Sequence, residues 1–155
     1  MRLISQGAQY AISAIIAISK HTEDGAVSAS YLSKSLNCPT AYLSQILAKL
    51  KEPGILKSQR GLKGGVYLAK SAGEITMMDV IAAIDGTEFF DKCFMGIEGC
   101  GNIEPCPFHA FWSVERKRIE KWLKKTTFEQ VDQNMTQTWF DLRLQFSNSV
   151  PSFRK

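Results

Sequence analysis

The chain has 155 residues, 45% hydrophobic and 22% charged, with a formal net charge of +4. That is enough to bury one good core, with a segment left over for a dimer seam or a sensor loop. The apolar run from Tyr10 to Ile18 behind Arg2 is too short to span a bilayer. Gln6, Gln9, Ser13 and Lys20 recur through it at helical spacing, which excludes an unbroken signal core and leaves a cytoplasmic, membrane-free protein as the expectation. A chain with this core needs no disulfide framework, so its four cysteines point elsewhere.

In chain order, residues near Ser5 to Lys20 read as a first helix with Ile12, Ile15 and Ile16 inward. A polar connection from His21 to Ala26 follows. Ser28 caps a second helix carrying Leu32 and Leu36, which ends near Asn37 before a turn through Cys38 and Pro39. From Thr40 to Lys51, Leu43, Ile46, Leu47 and Leu50 mark a helix buried on one face, so Thr40, Ala41, Ser44, Gln45, Ala48 and Lys49 face outward. Pro53 and Gly54 stop it. Ile55 to Gln59 and Val66 to Ala69 read as two short strands joined by the glycine-rich tip Arg60-Gly61-Leu62-Lys63-Gly64-Gly65. Three helices and a hairpin in this order make a winged helix-turn-helix, a mainly α fold with a small β wing. Thr76 to Asp79 cap a fourth helix with Met77, Val80, Ile81 and Ile84 on one face, ended by Asp85-Gly86. The first domain is thus residues 1–86.

Residues 87–107 show no period and contain Cys93, Cys100 and Cys106, so they read as a functional loop. From Phe108 a long helix returns, and Phe111, Trp112, Ile119 and Trp122 make an aromatic-rich stripe that suits a dimer seam over residues 108–126. Residues 127–155 are expected to be a C-terminal tail, frayed from Val150 to Lys155.

Two constellations carry chemistry. Lys49, Lys51, Lys57, Arg60, Lys63 and Lys70 fall in one stretch whose only acid is Glu52, a local excess that a phosphate backbone would feel. On the third helix, Ala41, Ser44 and Ala48 permit close approach to a major groove and Gln45 suits a bidentate contact with adenine. Thr40 and Lys49 suit phosphates, while Ser28 and Tyr42 complete the candidate DNA-facing set. Arg60, beside Gly61 on the wing, suits a narrow minor groove, with Lys63 on the backbone.

The cysteines are separated by six and five residues, wider than the close pairs of structural zinc sites, and Gly96, Gly99 and Gly101 let the loop wrap a larger object. An iron-sulfur cluster is therefore favoured, with zinc or bare redox-active thiols as the alternative. Pro107 suits the first position of the next helix, which would put Cys106 at its N-cap. His109 would then face Cys106 as a fourth ligand, the other reading being a histidine hydrogen-bonded at a helix start. Cys38 reads as a buried structural cysteine. No nucleotide-binding loop, paired acid-base residues or small-molecule substrate motif is present, so an enzyme is not expected.

The opening Met1-Arg2-Leu3, Tyr10-Ala11, Tyr42 to Leu47, the wing from Arg60 to Gly65, and Cys93, Cys100, Cys106 and His109 together resemble the Rrf-two family of bacterial regulators, over nearly the whole chain to about Val131. The resemblance implies a homodimer on a palindromic operator in double-stranded DNA, crossed long helices at the seam, and a cluster, commonly two-iron two-sulfur, at its end. The chain departs from the family pattern by one additional residue in the first cysteine gap and one before Tyr10. Where some relatives use an acidic residue of the partner's first helix as a ligand, Gln9 stands here, which favours His109.

Overall fold

In a computed structural model of the protein, residues 3–21, 23, 25–101 and 104–134 are described, so the end from Val150 to Lys155 lies outside the described residues. The elements are α1 (Gln6–Ser19), α2 (Ala29–Leu36), α3 (Thr40–Lys51), β1 (Leu56–Gln59), β2 (Gly65–Leu68), α4 (Met77–Asp85), α5 (His109–Lys125) and α6 (Phe128–Asn134), with single 3₁₀ turns at Ala72–Glu74 and Glu88–Phe90. The fold is a winged helix-turn-helix followed by a long helix.

Ser5 starts α1 by accepting from the Ala8 N–H at 3.1 Å. Its own N–H donates to Asp85 Oδ2 at 2.8 Å and its hydroxyl to Asp85 Oδ1, which ties the start of α1 to the end of α4. Ala8, Ala11, Ala14, Ile15, Ile16, Ala17 and Ile18 are all buried. The expected inward stripe is therefore too narrow: α1 is the central helix, contacted by α2, α3, α4, β2 and α6. Alanines permit this because their short side chains let neighbouring helices come close. Ile12 is only partly buried, packed between two apolar cores.

Ser28 caps α2 by accepting from Tyr31 N–H at 3.1 Å, and Asn37 ends it in the left-handed conformation at φ 47°. Ser33 then holds the turn, its hydroxyl donating to the Cys38 carbonyl at 2.6 Å and lying 2.9 Å from Thr40 Oγ1. Leu43, Ile46, Leu47 and Leu50 of α3 are buried, as their spacing requires. Thr76 and Asp79 cap α4 reciprocally at 3.1 and 2.8 Å, a capping box in which an aspartate supplies the reaching carboxylate.

The wing pairs Leu56 with Leu68 through Gln59 with Gly65, antiparallel. Val27, in the connection before α2, adds a further bridge: Val27 and Val66 exchange both backbone hydrogen bonds at 2.8 Å. A side chain at position 65 would collide with the Val27 carbonyl, which is why glycine stands there.

The expected tail begins differently. Phe128 N–H donates to the Ile75 carbonyl at 3.0 Å and Met77 N–H to the Thr126 carbonyl at 2.9 Å, so the chain after α5 returns beside the start of α4. Phe128 is 1% exposed in the main core. Residues 127–134 thus belong to the winged-helix body, because one buried aromatic supplies roughly 1.5–3 kcal/mol and recruits a helix too short to show a period.

A second, smaller core joins Met78, Ile81, Phe90 and Leu123. Helix α4 lies between the two, carrying the winged body on one side and α5 on the other. Among the described residues, no helix is long and apolar enough to cross a membrane.

Candidate nucleic-acid interface and metal centre

The outward face of α3 consists of Thr40, Ala41, Ser44, Gln45, Ala48 and Lys49, all exposed. Pro39 precedes the helix and gives no side-chain cap, so the first N–H groups of α3 are left without a side-chain partner, an arrangement suited to a phosphate. Tyr42 is exposed beside α1, its ring edge-on to Tyr10 with centroids 6.1 Å apart, a packing position as much as a surface one. Thr40 is engaged by Ser33, and Ser28 by its own helix start, so both have local partners.

Arg60, Gly61, Leu62 and Lys63 are exposed at the wing tip. Gly61 takes φ +109°, and a side chain at Gly64 would come within 2.7 Å of the carbonyls of Gln59 and Gly61. The tip is therefore compact because of its glycines, and its two cations stand clear of bulk. Lys51, within the same basic stretch, donates to Ser58 Oγ at 3.1 Å and joins α3 to β1.

The cysteine loop brings its three thiols together. The Sγ atoms of Cys93, Cys100 and Cys106 all lie within 4.8 Å of one another. Cys93 Sγ is 3.7 Å from Cys106 Sγ. That separation matches the edge of a thiolate tetrahedron around one metal ion, about 3.8 Å for a metal–sulfur bond of about 2.3 Å. His109 Nδ1 is 3.9 Å from Cys100 Sγ, and the Cys106 N–H donates to Cys100 Sγ at 3.5 Å. Gly101, at φ +97°, lets the loop backbone lie against the imidazole, where a side chain would collide with the ring. Cys38 is buried apart from this group, donating to the Pro39 carbonyl at 3.8 Å, and burial pushes its thiol up.

The thiols differ in acidity. Partial desolvation pushes Cys93 up, but hydrogen bonds from the Met95 and Ile97 backbone and from Cys100 and Cys106 outweigh it and bring the thiol down to about 7. Cys100 receives the Cys106 N–H, which lowers it, yet the neighbouring thiols, desolvation and charge repulsion leave it raised. Such unequal, interacting thiols share one thiolate first and give up further protons to a cation.

Cys106 is not the N-cap of α5. The helix begins at His109 with Phe108 as cap, because Pro107 and Phe108 form a turn closed by His109 N–H to the Cys106 carbonyl at 2.9 Å. Cys106 thus stands outside the first helical turn, and its neighbours are the other thiols.

The α5 stripe divides between two faces. Phe111, Val114 and Trp122 are 72%, 54% and 59% exposed on one side. Trp112 and Ile119 turn inward: Ile119 packs on the second core, and Trp112 meets Phe89 and Phe94 edge-on at 5.8 and 5.6 Å. Trp112 Nε1 donates to the Lys92 carbonyl at 2.9 Å, and Arg116 Nη1 donates to the same oxygen at 2.8 Å. Arg116 is absent from the expected site. Its signal was the spacing of four between Trp112 and Arg116, which sets both side chains over one helix face.

The family model described as Rrf2, iron-dependent transcriptional regulator, matches residues 4–134. The HTH-type transcriptional regulator IscR of Xenorhabdus nematophila is 33% identical over 134 residues, covering 86% of this chain and 80% of its own. Among solved structures, CymR of B. subtilis, titled the global cysteine regulator, aligns with a TM-score of 0.74 at 26% identity, covering 88% of this chain and 100% of that one. The T. potens IscR structure shares the fold at a TM-score of 0.69 and 24% identity, covering 88% and 93% of the two chains. The family model and the Xenorhabdus relative are both described as transcriptional regulators. The chain belongs to the Rrf2 family of winged-helix transcriptional regulators.

Proposed function

We propose that the protein is a homodimeric DNA-binding regulator whose operator affinity is set by a two-iron two-sulfur cluster on Cys93, Cys100, Cys106 and His109. The observation that carries this reading is the gathering of three thiols within 4.8 Å of one another, with an imidazole beside them, in a winged-helix chain. The donor set fits: three sulfurs and one nitrogen suit iron or zinc, and the glycines allow the loop to close around more than a single ion. The description of the family model, iron-dependent transcriptional regulator, supports an iron-containing centre. When bound, the cluster supplies a redox-active and ligand-exchanging centre.

The chain's own residues do the rest. The α3 face offers Ala41, Ser44, Gln45 and Ala48 to base edges, with Ser28, Thr40 and Lys49 toward phosphates. Arg60 enters a minor groove and Lys63 meets the backbone. Phe111, Val114 and Trp122, spaced to share one exposed face of α5, form the seam with a second copy, and a two-fold pair of α3 helices reads a palindrome. Because the cysteine loop leads directly into α5, the state of the loop changes the geometry of the pair.

The test is anaerobic purification with a visible spectrum and assays for iron and acid-labile sulfide. Colour with matching iron and sulfide is expected, and replacing Cys93, Cys100 or Cys106 by Ala should abolish it while Cys38→Ala preserves it. Sedimentation should give a dimer that Trp122→Glu disrupts, and a well-behaved monomer for the unmodified protein would refute the seam.

A second reading has its own support: the Cys93 thiol at about 7, 3.7 Å from Cys106 Sγ, suits a bare redox pair. A colourless protein that loses two titratable thiols to hydrogen peroxide would favour it.

A further inference from the structure

We propose that Trp112 and Arg116 are positioning residues for Cys93, fixing its thiol by holding the preceding carbonyl and thereby joining the cysteine loop to α5. The inference rests on the reading of the loop as a metal-binding site. The Lys92 carbonyl has two lone pairs, and two donors on successive turns of α5 reach it, Trp112 Nε1 at 2.9 Å and Arg116 Nη1 at 2.8 Å. A peptide oxygen held from two directions fixes the plane of the Lys92–Cys93 peptide, and with it the direction in which the Cys93 side chain leaves the backbone. The Arg116 bond is charge-assisted, the stronger of the two kinds.

The surroundings add packing to these two bonds. Trp112 meets Phe89 and Phe94 edge-on, and Phe94 packs on Phe108 at 5.3 Å, so the indole belongs to a chain of rings that joins both ends of the loop. Arg116 Nε is buried with no hydrogen-bond partner among the described residues. The guanidinium reaches this position with its Nη1 bonded to the Lys92 carbonyl. On the far side of the same helix lie Phe111, Val114 and Trp122, so a displacement of the Cys93 backbone acts on the helix that carries the exposed stripe.

The test uses reduced, metal-free full-length protein titrated with cobalt(II), whose thiolate bonds absorb in the near ultraviolet and visible. The variants are Trp112→Phe, Arg116→Ala and Arg116→Lys, with Arg118→Ala as a control, Arg118 being an exposed residue paired with Glu115. Arg116→Ala should weaken cobalt binding by roughly 10- to 100-fold, Trp112→Phe by less, and Arg116→Lys should recover part of the loss. Arg118→Ala should match the parent, and circular dichroism should show the same helix content throughout. Equal affinity for all variants would overturn the proposal, as would a loss that Arg116→Lys does not relieve at all.

If the parent protein gives no thiolate bands with cobalt, the metal reading itself fails, and the positioning role is read separately by alkylation. Mass mapping of iodoacetamide adducts should then show Arg116→Ala changing the rate at Cys93 while leaving Cys38 unchanged. Unchanged labelling at Cys93 would overturn the proposal by this route.

Discussion

The winged body and the cysteine loop are built on different principles. In the body, burial decides position: Leu43, Ile46, Leu47 and Leu50 face inward because an apolar series at helical spacing has one stable place to go. In the loop, Phe94, Met95 and Ile97 are exposed, and position is decided by hydrogen bonds to single backbone groups and by the thiols' mutual approach. The body is thus held mainly by apolar burial, and the loop by hydrogen bonds together with a small aromatic cluster of Phe89, Phe94, Phe108 and Trp112. Substitutions that test the one should therefore leave the other largely in place.

The largest effect that sharpens this contrast is expected at Phe128. Phe128→Ala removes a fully buried ring from the main core and should cost about 3–5 kcal/mol in denaturant unfolding, with the cysteine loop untouched in sequence. A cost under about 1 kcal/mol would return residues 127–134 to the status of a tail.

The next effect concerns the body's outer surface, where stability should hardly move and DNA binding should. Gln45→Ala is expected to cost about 1–3 kcal/mol on a preferred operator while leaving random DNA nearly unaffected. Lys63→Ala should weaken both and reduce the salt slope by about one unit. Titrations on operator and random duplexes at several salt concentrations read both variants. Equal losses on both duplexes for the two variants would mean that α3 is not the reading helix.

A smaller effect belongs to the capping box that starts α4 between the two cores. Thr76→Ala should lower stability by about 1 kcal/mol through loss of the bond from the Asp79 N–H. A thermal melt checks it, and no change would show that the bridge from Thr76 to Thr127 and the surrounding packing hold the helix start unaided.

The smallest effect on stability, and the one that marks the loop as chemically distinct, is in acidity. The Cys93 thiol, held at about 7, should react with iodoacetamide at half its maximal rate near pH 7 in reduced, metal-free protein. The folded-state value is depressed below that of an ordinary thiol. The associated stabilisation is therefore present above the unfolded value and lost as pH falls through about 7. A midpoint near that of an ordinary thiol would contradict the arrangement of hydrogen bonds around Cys93.

Most of the body was legible in the sequence because its information is local and periodic. The limits of α3, the Thr76 capping pair and the glycine tip all follow from residues near one another along the chain. What was not legible depends on long-range closure. Val27 joins the wing across 39 positions of sequence through two backbone bonds, which no side-chain pattern signals. Phe128 is one aromatic in a short polar helix, and its place in the main core depends on the backbone pairing with distant Ile75.

At the site, cysteine spacing was sufficient to nominate Cys93, Cys100 and Cys106, and the structure brings the three together. It was not sufficient to separate the two faces of α5. Trp112 and Ile119 share an aromatic-rich helix with Phe111 and Trp122, and which of them turn inward is decided by the Lys92 carbonyl and the second core. Nor could spacing show that the turn at Pro107 and Phe108 delays α5 until His109.

The most direct test is a paired measurement of DNA affinity on one operator obtained by selection from random duplexes, comparing metal-loaded parent protein with its Cys100→Ala variant under anaerobic conditions. The expected result is a difference of at least tenfold in operator affinity, in either direction, with the two proteins melting within a few degrees of each other. Equal affinity of a fully loaded parent and the variant would contradict the claim that the cysteine loop governs DNA binding.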